Sequence, residues 1–143
     1  MRPKRKLSEY DLRTALRGFG SMPSVRMVSC RTGAPGFIEI RGLAWSGRGL
    51  VKTVEVSTDG GRTWGAAQLQ DPVLSQCHTR FRFGWRWNGE DAILQSRCTD
   101  ETGYVQPTRA SLVAARGIHS SYHYNAIQSW KVGRDGQVTN VQV

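Results

Sequence analysis

Between residues 36 and 98, apolar and polar side chains repeatedly alternate with a period of two, the spacing that turns one face of a β-strand to a core and the other to water. Ile38 and Ile40 alternate with Phe37, Glu39 and Arg41, and Gly42-Leu43-Ala44-Trp45 prolongs that strand to a turn at Ser46-Gly47-Arg48-Gly49. Residues 50–57 form the next strand, with Val54 and Val56 set against Glu55 and Ser57. Asp59-Gly60-Gly61 then reverses the chain. Residues 64–69 are predicted to return as one strand, ended by Asp71-Pro72. In residues 79–87, Phe81, Phe83, Trp85 and Trp87 alternate with Arg80, Arg82 and Arg86, so the strand has an aromatic face for the core and a cationic face for solvent. After Asn88-Gly89, Ala92, Leu94, Ser96 and Cys98 oppose Ile93, Gln95 and Arg97 in another strand.

The flanks are less periodic. Residues 1–33 read as a basic, flexible N-terminal segment in which 8–16 can form a short helix capped by Ser8 and stopped by Gly18 and Gly20. Residues 34–143 form the folded domain. Residues 100–107 read as a loop, 110–116 as a short helical turn or extended connection, 122–132 as a longer strand ending before Asp135-Gly136, and Val138 and Val141 as part of a last short strand. About seven antiparallel strands with frequent turns predict an all-β, immunoglobulin-like sandwich. Composition agrees: 143 residues suffice for one domain with its own core, and 16 glycines and 5 tryptophans favour short strands and turns over long helices.

Chemistry-bearing residues are few. In the first hairpin, the Ser57 or Asp59 side chain can hold the turn amides, Gly61 can take a positive φ, and Trp64 can fold back over the turn. That set is a structural hairpin, and its spacing resembles the Asp-box of sialidases, which recurs on several unrelated β folds. A sialidase propeller needs several such boxes, and this chain has one. His119 and His123 are four apart, a spacing that suits a helical zinc pair, but 122–127 reads as strand and no acidic third ligand is near. Neither a P-loop nor a Ser-His-Asp set is present.

The net charge is +9, and residues 1–18 carry +4 of it. Such an excess suits nucleic acid or another polyanion, and a stand-alone sandwich binding a polyanion is the alternative function. Many basic domains, however, simply carry solvated charge, and nucleic acid is not the favoured partner. Cys30, Cys77 and Cys98 have no CxxC spacing. Cys98 reads as a core residue and Cys77 as a loop residue, while a Cys77–Cys98 bridge stays open. The start is too charged for a signal peptide, and no apolar run reaches membrane-spanning length, so a soluble, unexported chain is expected.

Several ordered segments together resemble one family: Gly42-Leu43-Ala44-Trp45-Ser46-Gly47, residues 54–64, Asp100-Glu101-Thr102-Gly103-Tyr104-Val105-Gln106-Pro107, and Arg116-Gly117 followed by Tyr122-His123. They resemble the carboxy-terminal dimerisation domain of the sulfite-oxidase family of molybdenum enzymes. Within it, the wording is similar to the molybdenum subunit of the bacterial sulfane dehydrogenases, periplasmic enzymes of thiosulfate oxidation with a c-type cytochrome partner. The resemblance implies a homodimer. It also implies a separate, preceding domain that binds the molybdopterin-molybdenum cofactor and supplies its cysteine ligand. None of the three cysteines here stands in that context, so no cofactor is expected on this chain and no redox activity from it alone. Arg116 matches the family arginine that reaches into the oxyanion pocket of the substrate, with Tyr122 and His123 completing the motif. A guanidinium suits that task because its planar fork offers an oxyanion two parallel hydrogen bonds. Tyr122 stands where the sulfite-oxidising branch commonly has tryptophan.

Overall fold

A computed structural model describes residues 24–29, 34–118 and 124–143. Its strands are β1 (Ser24–Ser29), β2 (Gly36–Trp45), β3 (Val51–Ser57), β4 (Gly65–Ala66), β5 (Gln68–Leu69), β6 (Thr79–Trp87), β7 (Ala92–Asp100), β8 (Ser129–Val132) and β9 (Val138–Val141), and its helix is α1 (Arg109–Arg116). The strands form two sheets, ordered β1-β2-β6-β5 and β4-β3-β7-β8-β9, with every neighbouring pair antiparallel. The all-β sandwich predicted from alternation is therefore the architecture of the described residues.

The core lies between the sheets and follows the period of two. Ile38, Ile40, Ala44, Phe81 and Trp87 enter it from one sheet, and Val54, Val56, Leu94, Cys98 and Val132 from the other. Phe83 and Trp85 pack at its margin, so the aromatic face of β6 does point inward while Arg80, Arg82 and Arg86 are exposed. Burying each large apolar side chain contributes about 1.5–3 kcal/mol, which makes this inner layer the main source of stability.

Four local expectations need correction or sharpening. The return from the first hairpin is not one strand: β4 pairs with β3 in one sheet and β5 with β6 in the other, and the chain crosses at Ala67, whose amide donates to the Val54 carbonyl at 2.8 Å. Two short pairings replace one because each sheet has an edge to cover at that point. Secondly, Ser24–Ser29, which lies upstream of the expected boundary at 34, is a strand on the edge of β2. Thirdly, of the expected strand 122–132 the described part is 124–132, and only Ser129–Val132 of it joins a sheet. Asn125, Ala126 and Ile127 are buried without strand pairing, and the Ile127 amide donates to the Pro107 carbonyl at 2.9 Å, so packing rather than a ladder holds this stretch. Finally, Cys77 and Cys98 are both free, the first exposed and the second buried, so the bridge left open does not form. The helix considered for residues 8–16 lies outside the described residues. Among the described residues no helix is long and apolar enough to cross a membrane.

Candidate functional site

The hairpin after β3 closes through side chains that sit two to four residues apart. Ser57 Oγ donates to Asp59 Oδ1 at 2.7 Å and accepts from the Gly61 amide at 2.8 Å. Asp59 Oδ1 also accepts from the Arg62 and Thr63 amides, and Oδ2 accepts from the Thr63 hydroxyl at 2.6 Å. Gly60 and Gly61 have φ of 75° and 89°, so the backbone favours glycine at both, and a Cβ on Gly61 would also displace the tip of the Gln95 side chain, whose Oε1 would stand 2.7 Å away. The Trp64 indole N–H donates to the Gly61 carbonyl, and Arg97 lies 4.2 Å over the indole ring while pairing with Glu55 at 2.7 Å. All four residues of the expected structural hairpin therefore act together, the Ser57, Asp59 and Trp64 side chains bonding within the turn, while the Gly60 amide reaches across to the Ile93 carbonyl at 3.0 Å.

A second polar node occupies the other end of the β3–β7 ladder, where Val51 faces Asp100 in register while Ser57 faces Gln95 at the hairpin end. Asp100 is fully buried. Its Oδ2 accepts from the Ser46 hydroxyl at 2.8 Å, and its Oδ1 accepts from the Thr102 hydroxyl at 2.5 Å and from the Thr102 and Tyr104 amides at 3.0 and 3.2 Å. Ser46 Oγ in turn accepts from the Arg48 amide, and the Arg48 guanidinium lies 5.2 Å over the Tyr104 ring. The turn after β2 and the loop after β7 are thus tied through the Asp100 carboxylate, and again by Glu101, whose Oε1 accepts from the Leu50 amide at 3.0 Å and whose amide donates to the Leu50 carbonyl at 2.9 Å. Downstream, the buried Gln106 bonds back to Cys98 through backbone and side chain, and Thr108 caps α1 by accepting from the Ser111 amide. The sequence reading placed Asp100 in a loop and missed this node. Its signal was local, an Asp followed by Thr, Gly and Tyr, but nothing in the sequence shows a Ser46 partner 54 positions away.

Arg116 ends α1 and is exposed, directly before Gly117, whose φ of 81° terminates the helix. A cation in the last turn also suits the helix dipole. Tyr122 and His123, and with them His119, lie outside the described residues, so the expected substrate-binding trio is placed only at Arg116. The hairpin and the Asp100 node sit at opposite ends of one ladder and form no common pocket.

Carboxylate titration follows from this geometry. Thr63 and Ser57 hold Asp59 below its ordinary range, Lys131 and the Arg134 amide do the same for Asp91, and for Asp100 burial pushes upward but the Thr102 and Ser46 hydroxyls and the backbone amides outweigh it. A depressed carboxylate pKa contributes stability that is complete above the unfolded value, near 3.8, and is lost as pH falls through the lower folded values. The thermal midpoint should therefore be level from neutral to about pH 5 and fall steadily below about pH 4. Melting followed by circular dichroism from pH 7 to pH 2 checks this, and a level midpoint down to pH 3 would count against it.

Of the two described cysteines, Cys98 is no candidate for a metal thiolate. Burial, and then the neighbouring Asp100 carboxylate, push the Cys98 thiol up to about 12, so it is a protonated core group and not a thiolate ligand. Nor do three His, Cys, Asp or Glu side chains converge among the described residues.

Residues 21–130 match the family model described as the Mo-co oxidoreductase dimerisation domain. Among solved structures, the crystal structure of the sulfane dehydrogenase SoxCD from Paracoccus pantotrophus is similar, with 41% identity and a TM-score of 0.83 over 86% of this chain. The chain spans 33% of the length of that relative. No curated protein matches.

Proposed function

The chain belongs to the molybdenum-cofactor oxidoreductase dimerisation-domain family, and from that premise we propose that it serves as the self-associating module of a molybdenum-dependent oxidoreductase acting on a sulfur compound. The observation that carries the reading is 41% identity to a sulfane dehydrogenase chain, held at a TM-score of 0.83 over 86% of this chain. On this reading the partner is a second copy, related by a twofold axis, together with a molybdopterin-binding catalytic domain. A c-type cytochrome subunit and a periplasmic setting belong to the same proposal.

Arg116 fits a further part of the role. It is exposed at the end of α1, and its fork can grip a sulfur oxyanion from this domain's side of a shared pocket. Tyr122 and His123 complete that contact in the proposal. The Asp100 node supports Arg116 indirectly, because it fixes the loop that leads into the Thr108 cap and so the start of α1.

Self-association is the direct test. Exposed apolar side chains at Val105, Ile118, Tyr124 and Val143 offer short-range packing surface, while a charge of +9 per chain opposes approach at low salt. Screening shortens to roughly 8 Å near physiological ionic strength, so moderate salt should strengthen the dimer. Sedimentation across protein concentration and salt should show a monomer–dimer equilibrium moving to dimer as salt is added. A strictly monomeric species at high concentration and moderate salt removes the proposal.

A further inference from the structure

The outer face of the β1-β2-β6-β5 sheet gathers guanidinium groups from separate strands. Arg80, Arg82 and Arg86 are exposed on β6, and the register sets Arg41 of β2 directly opposite Arg82. Glu39 is the only carboxylate that β2 and β6 bring to this face, and it already pairs with Arg41. Among the described residues none of Arg80, Arg82 and Arg86 pairs with a carboxylate. Like charges directly opposite on neighbouring strands are unfavourable, and the single carboxylate of Glu39 offsets only part of the four cations gathered here. Beside them Phe37, paired in register with Arg86, is 74% exposed, with its ring over the bare backbone of Gly84. Arginine and an exposed aromatic are the residue types enriched at the energetic centres of protein interfaces.

We propose that this arginine face docks an acidic segment of another protein. The occupant follows from charge and spacing. Same-face residues along a strand recur about every 7 Å, which is also the spacing of alternate side chains in an extended Asp/Glu-rich segment. Each guanidinium can then grip a carboxylate through two parallel hydrogen bonds. A second copy is the wrong partner for this face, because a twofold contact lays the same patch against itself and sets cation against cation. Single-stranded nucleic acid is disfavoured as well, because Phe81 and Trp87 are buried, Phe83 and Trp85 pack against the core, and Trp45 is half-buried with its ring against His78, so among the described residues of β2 and β6 Phe37 alone presents a largely exposed ring. The inference stands apart from the molybdenum-enzyme reading, since it rests on the register, charge and exposure of β2 and β6.

Fluorescence anisotropy with labelled poly-L-glutamate at physiological ionic strength tests it, using the whole chain. The double variant Arg82→Gln/Arg86→Gln should weaken binding by about tenfold or more, because charge-assisted contacts are lost at the face itself. The variant Lys52→Gln/Arg134→Gln removes the same charge from exposed positions elsewhere, and it should change affinity by less than about twofold. Oligodeoxythymidylate of equal charge should bind more weakly than poly-L-glutamate. Equal losses in the two variants, no binding of poly-L-glutamate at this salt, or tighter binding of the oligonucleotide would each overturn the proposal.

Discussion

Replacing Asp100 with alanine should cost this domain about 4 kcal/mol of stability, the largest effect expected from any single polar residue in it. The carboxylate is fully buried and accepts from two hydroxyls and two amides, those of Ser46, Thr102 and Tyr104. Alanine removes every acceptor at once and leaves those donors facing a space that water enters only at the expense of packing. Each unsatisfied buried donor costs about 1–3 kcal/mol, and partial relaxation of the two loops recovers some of the sum. For a chain of this size the thermal midpoint should fall by about 15 °C. Asp100→Asn keeps one carbonyl acceptor but turns a donor toward other donors, so about half that loss is expected, together with a shallower decline in stability at acid pH. Urea unfolding gives the energies, and a midpoint drop of less than about 3 °C for the alanine variant would show that the node is not a structural keystone.

The second large effect concerns Arg116. In an assembled oxidoreductase containing this domain, Arg116→Gln should lower kcat/KM for the oxyanion-forming sulfur substrate by about 100-fold. That corresponds to losing about 3 kcal/mol of charge-assisted hydrogen bonding. Arg116→Lys keeps the charge but loses the planar fork, so a loss of about tenfold is expected. Neither change should move the thermal midpoint much, because the side chain is exposed at the end of α1 and contributes to the helix dipole only a few tenths of a kcal/mol, about 0.5. The contrast between kinetics and melting is what separates a pocket role from a surface one. If kcat/KM is unchanged in both variants, Arg116 acts on the surface of this domain and not in a substrate pocket.

The long strands were legible in the sequence. β2 and β6 have the bounds that alternation predicts, because Ile38 and Ile40 in the one and Phe81, Phe83, Trp85 and Trp87 in the other leave only one orientation that buries the apolar side. The hairpin was legible for a different reason: Ser57, Asp59, Gly61 and Trp64 bond to atoms within four residues, so local sequence alone specifies the contacts. Residues 64–69 were misread because a two-residue pairing carries no period, and their division between sheets depends on which edge stands nearby. The stretch at 125–127 was misread because continuous burial resembles a strand even when the backbone bonds go elsewhere, as Ile127 does to Pro107.

Of the candidate sites, the structural hairpin was readable in full, whereas Arg116 drew its meaning only from resemblance, since one exposed arginine has no pattern of its own. The Asp100 node lay in plain view as residue types but not as a site.

What the sequence by itself determined is what short-range physics can decide: which side of each long strand is apolar, where the chain must turn, and how the Ser57–Asp59 hairpin satisfies its own amides. Tertiary structure alone decided what meets across long separations. It brought Ser46 to Asp100, divided the return strand between two sheets, and set Arg41 beside Arg82 to make a cationic face from strands that each look ordinary. The reason is the same in each case. Such contacts require closing long loops, so they form only when the whole register of both sheets repays that entropy, and no single segment carries the information that fixes the register.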